Sequence, residues 1–299
     1  MDAFIPCIGR GRVLLADGAI GSLLMERGLA RGAAPESLTL SSPGALEEIA
    51  RLYLEAGAEI VQTNTFGASP LKLANYGLAG QAAVINENAV RAVRRAVGER
   101  AYVAASCGPS GRILLPYGDT EAAKVFESFQ TQMRALIYAG ADIICVETMS
   151  DIHEARLAIE AARSVSPDIP VMATMTFEAT ARGYFTIMGV TIEKACLELA
   201  AAGADLVGSN CGNGSEQMVA IAKEFRKFTK LPLLIQANAG IPELRAGKVH
   251  YPETPEFMAE KSRELIAAGV AVIGGCCGTT PDHTRAMRRV LDEEIRKRH

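Results

Sequence analysis

The chain is 299 residues long, 49% hydrophobic and 22% charged, with 31 lysines and arginines against 34 aspartates and glutamates for a net charge of −3. That balance speaks against a basic nucleic-acid surface or a like-charged tail, and the length allows one large domain or two ordinary ones around a real core. The opening MDAFIPCIGRGRVLL lacks the apolar core and cleavage site of a secretory leader, and no segment reaches the roughly 18 uninterrupted apolar residues of a membrane span, so the expectation is a cytoplasmic protein with reduced thiols and no membrane or nucleic-acid partner.

Short apolar runs alternate with amphipathic stretches along the whole chain. The runs are VLLAD (13–17), EIVQTN (59–64), YVAASC (102–107), DIICVE (142–147), PVMATMTF (170–177), DLVGSNC (205–211), PLLIQAN (232–238) and AVIGGCC (271–277). They are largely apolar on both faces and too short to be buried helices, which is how strands of a parallel sheet covered on both sides read.

Between them lie helix patterns. Ser42-Pro43 offers an N-cap and a first-turn proline, Leu46, Ile49, Tyr53 and Leu54 recur on one face, and Gly57 stands at the exit. Thr280-Pro281-Asp282 repeats the opening signature. Four helices end in closely similar words before a strand, EAGAEI (55–60), YAGADI (138–143), AAGADL (201–206) and AAGVAV (267–272). A glycine there serves as a left-handed cap, and its recurrence implies one βα unit used repeatedly. Eight such units predict an α/β protein with a single domain over residues 1–299, a (β/α)8 TIM barrel. An open doubly wound sheet would favour GxGxxG after the first strand, where this chain has Asp17-Gly18-Ala19-Ile20-Gly21-Ser22.

In such barrels the active site gathers at the C-terminal strand ends. Here these ends carry Asp17, Asn64 with Thr65, Cys107, Glu147, Thr176, Cys211, Asn238, and Cys276 with Cys277. Seven cysteines, an odd number, do not make a disulfide framework, and each one alone reads first as a buried thiol. Cys211 and the Cys276–Cys277 pair end the sixth and eighth runs, so barrel closure leaves a single strand between them. Three converging thiolates suit zinc and leave a fourth position open. Gly212, Gly274, Gly275 and Gly278 let the backbone turn tightly enough for neighbouring sulfurs to face one metal. Two plainer readings stand beside this, inert buried thiols and a phosphate cradle at GGCCG, although bulky sulfur suits the cradle poorly.

Zinc held by three thiolates activates water poorly but can keep a fourth thiol ionised at neutral pH. That points to a thiol nucleophile supplied by the substrate, and to alkyl transfer. Glu147 and Asp17 are then available for a substrate ammonium group, and the backbone amides after Asp17, through Gly18 and Ala19, for a carboxylate. An amino acid carrying a thiol fits these groups.

The segments LLADGAIGSLL (14–24), TNTFGAS (63–69), CVETMSD (145–151), GSNCGNG (208–214), QANAG (236–240) and VIGGCCGTTPDH (272–283) resemble the homocysteine S-methyltransferases, most of all the homocysteine-binding barrel of the cobalamin-dependent methionine synthase branch. The resemblance runs from about Val13 to Val290. It implies Zn2+ at Cys211, Cys276 and Cys277, with Asn238 in the fourth position until homocysteine displaces it. It also implies that Asp17, Gly18 and Glu147 hold the amino-acid end of homocysteine, with Asn64 nearby on the same rim. Betaine-using relatives grip a quaternary ammonium with aromatics that include tryptophan, and this chain has none. The implied methyl donor is methylcobalamin, carried by a corrinoid protein or by domains outside this chain. S-methylmethionine as donor, another small thiol as acceptor, and a non-catalytic zinc- or thiol-binding barrel are the alternatives. Because the chain ends soon after its eighth helix pattern, in LDEEIRKRH, it is expected to be either a piece of a longer protein or a subunit that docks on a separate corrinoid protein.

Of the remaining motifs, His153 and His283 read as surface or cap residues, His250 as part of an exposed loop, Cys7, Cys145 and Cys196 as core or near-surface thiols, and VMATMTF as barrel lining. Ligation by Cys107 is not expected.

Overall fold

The computed structural model describes residues 3–26, 29–30, 32–245 and 248–298, so Ala246 and Gly247 of the expected loop AGKVHYPET and the terminal His299 lie outside the described residues. Eight parallel strands form one sheet: β1 (Leu14–Leu15), β2 (Ile60–Gln62), β3 (Tyr102–Cys107), β4 (Ile143–Met149), β5 (Val171–Met175), β6 (Leu206–Asn210), β7 (Leu233–Ala237) and β8 (Val270–Gly275). Neighbours pair in sequence order around the sheet, and β8 returns to β1. The remaining seam closes where Ala16 pairs with Ile60, with Glu59 N–H donating to Leu15 O at 2.7 Å and Asp17 N–H to Ile60 O at 3.0 Å. The result is the expected barrel.

The principal helices follow the strands in turn: α1 (Pro43–Glu55), α2 (Ala82–Val97), α3 (Ala122–Tyr138), α4 (Ile152–Val165), α5 (Ile192–Ala202), α6 (Ser215–Phe228), α7 (Pro255–Ala267) and α8 (Pro281–Arg298). Two short hairpins decorate the loops after β5 and β7, Glu178–Thr180 with Gly183–Phe185, and Glu243–Arg245 with Lys248–His250.

Alternation along each strand creates two cores. Outward residues such as Leu15, Val61, Val103, Ile144, Val207 and Ile273 pack on Tyr53, Phe129, Met133, Ile159, Met218 and Phe225 of the helices. Each such burial contributes about 1.5–3 kcal/mol. Inward residues, among them Leu14, Ile60, Tyr102, Ile143, Cys145, Met172, Leu206 and Val272, fill the barrel itself. A helix at Phe4–Gly9 stoppers its lower end, with Phe4 edge-on to Tyr102 at 5.3 Å between ring centroids. Cys145 and Met172 are thus barrel lining and Cys7 belongs to the stopper.

The repeated word at the helix exits has a period of two βα units. Gly57, Gly140, Gly203 and Gly269 all have positive φ, between +79° and +103°. In three of the four, the acid two residues later binds back to the preceding strand of the barrel. Glu59, Asp142 and Asp205 accept from Leu15, Val103 and Val171 N–H at 3.3, 2.7 and 2.8 Å. Each also binds an arginine from an even-numbered helix, Arg288, Arg94 and Arg163, at 2.8, 2.6 and 2.7 Å. In the fourth, where alanine replaces the acid, Arg226 donates instead to Gly269 O at 2.6 Å. Ser42 differs from expectation, since its side chain makes no cap hydrogen bond. It sits between two helices, its own N–H donating to Leu38 O at 2.8 Å, and its backbone at φ −149°, ψ 56° is not that of an ordinary N-cap.

Candidate active site

At the C-terminal end of the barrel the inward residues turn polar: Gln62, Ser106, Glu147, Thr174, Asn210 and Gln236 are all buried. Ser106 Oγ donates to Glu147 Oε1 in a short hydrogen bond, and Asn210 Nδ2 donates to Oε2 at 3.3 Å. Asn210 is the hub. Its Oδ1 accepts from Thr148 N–H and from the Thr174 hydroxyl, each at 2.7 Å, and its Nδ2 also reaches Thr148 Oγ1 at 2.8 Å. The register of β4 slips between Val146 and Met149, where Thr148 takes φ +60°. Glu147 faces inward by the alternation that points Ile143 and Cys145 there, and the irregularity after it turns the Thr148 amide toward Asn210.

Among the described residues, two acids lie here without an ion-pair partner. Burial pushes the Glu147 carboxyl up to about 7, against the lowering effect of the Ser106 and Gln62 hydrogen bonds. Burial likewise pushes Asp17 up to about 8, although Gln62 N–H donates to its Oδ2 at 2.8 Å. Asp17 Oδ1 is buried without a hydrogen-bond partner.

The three expected cysteines converge. Cys211 follows β6 at φ +59° and Gly212 continues at +75°, which folds the thiol back over the barrel mouth. Its N–H donates to Gln236 O at 3.1 Å, Cys276 N–H to Ala237 O at 2.7 Å, and Ala239 N–H to Cys277 O at 2.9 Å, so β7 ties both cysteine loops together. The Cys211 and Cys277 sulfurs are 3.8 Å apart, and all three lie within 4.8 Å of one another. Among the described residues this is the one group of three or more histidine, cysteine or acidic side chains gathered in that way. Hydrogen bonds from the Cys276 and Cys277 thiols hold Cys211 well below the usual thiol range, and the same bonds push Cys276 up.

These groups fit zinc. Tetrahedral zinc with Zn–S bonds of about 2.3 Å holds its sulfurs about 3.8 Å apart. Asn238, 4% exposed, touches Cys211 through its side chain, and its Oδ1 is buried with no partner, an oxygen available to a fourth position.

A cavity of about 300 Å³ opens above this centre, walled by Gly18, Ala19, Glu36, Gln62, Asn64, Ser106, Glu147, Tyr251 and the three cysteines. Asp17, next to Gly18, is fully buried and not among its walls. Two expected binding groups are already engaged: Ala19 N–H donates to Thr279 Oγ1 at 3.1 Å, and Asn64 Nδ2 to Pro35 O at 2.8 Å. Asn64 therefore fastens the loop after β1 to the cavity wall. Cys107 is turned into the core, its thiol 3.4 Å from Gln132 Oε1. His153 and His250 are exposed. His283 is a buried capping residue, its Nδ1 accepting from Thr280 N–H at 3.1 Å. Sequence reasoning missed Gln62, Ser106, Asn210, Glu36 and Tyr251. An inward period of two along the strands puts the first three on the barrel lining, without marking any of them as functional.

The profile of the homocysteine S-methyltransferase family matches residues 14–291. The chain belongs to that family. It is 33% identical over 293 residues to the methionine synthase of Mycobacterium leprae and to that of Mycobacterium tuberculosis, matching 92% of this chain but 24% of each relative. It thus spans about a quarter of the length of the curated relatives it matches. Among solved structures, the metallated homocysteine methyltransferase MmuM from Escherichia coli superposes with a TM-score of 0.78, at 23% identity, over 95% of this chain and 98% of that one. Its oxidized form gives 0.76 at 24% identity, over 93% and 95%. This likeness establishes the shared barrel fold. No helix among the described residues is long and apolar enough to cross a membrane.

Proposed function

We propose that this family member, with residues 1–299 as one barrel domain, methylates homocysteine at a zinc centre and yields methionine. Cys211, Cys276 and Cys277 would hold the metal, and the unpartnered Asn238 Oδ1 would be a further oxygen available to it in the absence of the substrate thiol. Bound zinc supplies the charge that keeps that thiol ionised at neutral pH. The observation that carries the reading is the convergence of three thiols at tetrahedral spacing beside an unpartnered buried oxygen.

The chain's own groups bind and aim the substrate. Glu147 on the cavity wall and Asp17 buried next to Gly18, both raised by burial when alone, are the acids available to its ammonium group, and the Gly18–Ala19 backbone lies alongside its carboxylate end. Ser106 and Asn210 keep Glu147 facing the cavity. The sulfur then attacks the methyl carbon in line, one S–C bond forming as the bond to the donor breaks, so the donor must reach it from the barrel mouth.

A methylated corrinoid is the donor this reading favours, supplied by a separate protein or by further domains. The similarity to methionine synthases of about four times this length and the lack of tryptophan for gripping a quaternary ammonium both support it. A site built on free thiols also fits the reducing cytoplasm.

The test is methyl transfer from free methylcobalamin to homocysteine, followed by cobalamin absorbance with and without a zinc chelator. Chelator-sensitive turnover is the expected result. Turnover with S-methylmethionine alone would overturn the donor, and failure to bind homocysteine would overturn the acceptor.

A further inference from the structure

Two loops of the site are bonded directly to each other. One follows β1 and carries Asp17, Gly18 and Ala19; the other follows β8 and carries Cys276 and Cys277. Gly275 N–H donates to Asp17 O at 2.8 Å, and Gly278 N–H to Ser22 Oγ at 3.3 Å. Between these two rungs stands Thr279.

Thr279 is 1% exposed and is not among the cavity's walls. Its hydroxyl donates to Cys276 O at 2.7 Å and accepts from Ala19 N–H at 3.1 Å. Both directions are fixed, because a carbonyl only accepts and a backbone N–H only donates. The same Cys276 carbonyl takes the Thr279 N–H at 3.1 Å, which closes a turn over 276–279. The hydroxyl fills a gap that glycines leave open. A Cβ at Gly18 would fall 2.5 Å from its oxygen, and one at Gly275 would collide with it as well. Tyr53 of α1, wholly buried, holds the same junction, its hydroxyl donating to Ala19 O at 3.0 Å and lying 3.4 Å from Thr279 O.

We infer that Thr279 is a positioning residue that sets the length of the amino thiol the site accepts. The inference rests on the function proposed above, in which a substrate is held by its sulfur at the metal and by its amino-acid end beside Glu147 and Gly18–Ala19. A molecule gripped at both ends is selected by the distance between the grips. That distance is set where the two loops join, and the Thr279 hydroxyl bonds there both to the backbone of a metal-binding cysteine and to that of Ala19. Cysteine, one methylene shorter than homocysteine, reaches both grips only if one loop moves. A missing methylene in a fitted pocket is worth about 10–200-fold.

The experiment is calorimetric titration of the zinc-loaded chain with homocysteine and with cysteine, without any methyl donor, for the wild type, Thr279→Val and Thr279→Ser. Valine keeps the shape but strands the Ala19 N–H, whereas serine keeps both bonds. The wild type should bind homocysteine about 10–200-fold more tightly than cysteine. Thr279→Val should narrow that ratio by about tenfold, the order of effect expected of a stranded buried N–H, and Thr279→Ser should keep it. A wild-type ratio in Thr279→Val, even with both thiols bound more weakly or a lower unfolding temperature, would make the residue merely structural and overturn the proposal. Equal loss in Thr279→Ser would assign the effect to the methyl group and overturn it too. If Thr279→Val does not fold, Tyr53→Phe, which deletes the hydroxyl on Ala19 O, is held to the same criterion. A wild type that binds both thiols equally would overturn the proposal, while one that binds neither would overturn the parent reading instead.

Discussion

Asp17 holds a proton that the unfolded chain would release. Its side chain is fully buried, one oxygen has no partner, and burial pushes it up to about 8. The folded, ligand-free protein therefore binds more protons than the unfolded chain from the ordinary carboxyl range, about 4, up to about 8. Stability from this group is complete below that range and is lost as pH rises through about 8, and Glu147, raised to about 7, acts in the same direction. Thermal unfolding of the metal-free chain should show a falling midpoint from about pH 4 to about pH 8, flattened in Asp17→Asn. An equally steep fall in that variant would contradict the assignment. At this scale the cysteines were legible because soft ligands flanked by glycine carry their chemistry in the sequence. Asn210 was not, because a neutral amide has no spacing signature. Its role emerges only when Glu147, Thr148 and Thr174 are brought around it.

The elements were legible where apolar runs had unmistakable ends. β3 spans the predicted residues 102–107, while β4 continues to Met149, past the predicted end at Glu147, through an irregularity that no residue pattern announces. The four helix-exit words were readable as repeats before every second strand, but the latch they form was not, because the partner arginines lie on other helices about 40 to 230 residues away. The acids in these words act as latches. Asp205→Ala would strand Val171 N–H and one arm of Arg163, and should lower unfolding stability by about 1–3 kcal/mol. Chemical denaturation would measure it, and a variant as stable as the parent would show that solvent replaces the latch.

Across the whole molecule, stability and chemistry occupy opposite ends of the barrel. The lower end is closed by apolar packing of Phe4, Cys7 and Ile8, whereas the upper end carries acids, amides and thiols with unmet bonding capacity. Phe4→Ala should therefore cost about 3–5 kcal/mol of stability while leaving zinc stoichiometry in the folded protein unchanged. Loss of metal in that variant under folding conditions would show the two ends to be coupled. The barrel itself was readable from strands apolar on both faces. The polar upper layer was hidden within those same runs, where Gln62, Ser106 and Asn210 each occupy one inward position among apolar neighbours.

The measurement that bears most directly on the proposed zinc-thiolate centre is X-ray absorption at the zinc edge, on the purified chain with and without homocysteine and on Cys211→Ala, Cys276→Ala and Cys277→Ala. A shell of three sulfurs and one lighter atom should become four sulfurs on adding homocysteine, and each alanine variant should lose most of its zinc. Stoichiometric zinc retained in all three variants, or a shell without sulfur, would contradict the account.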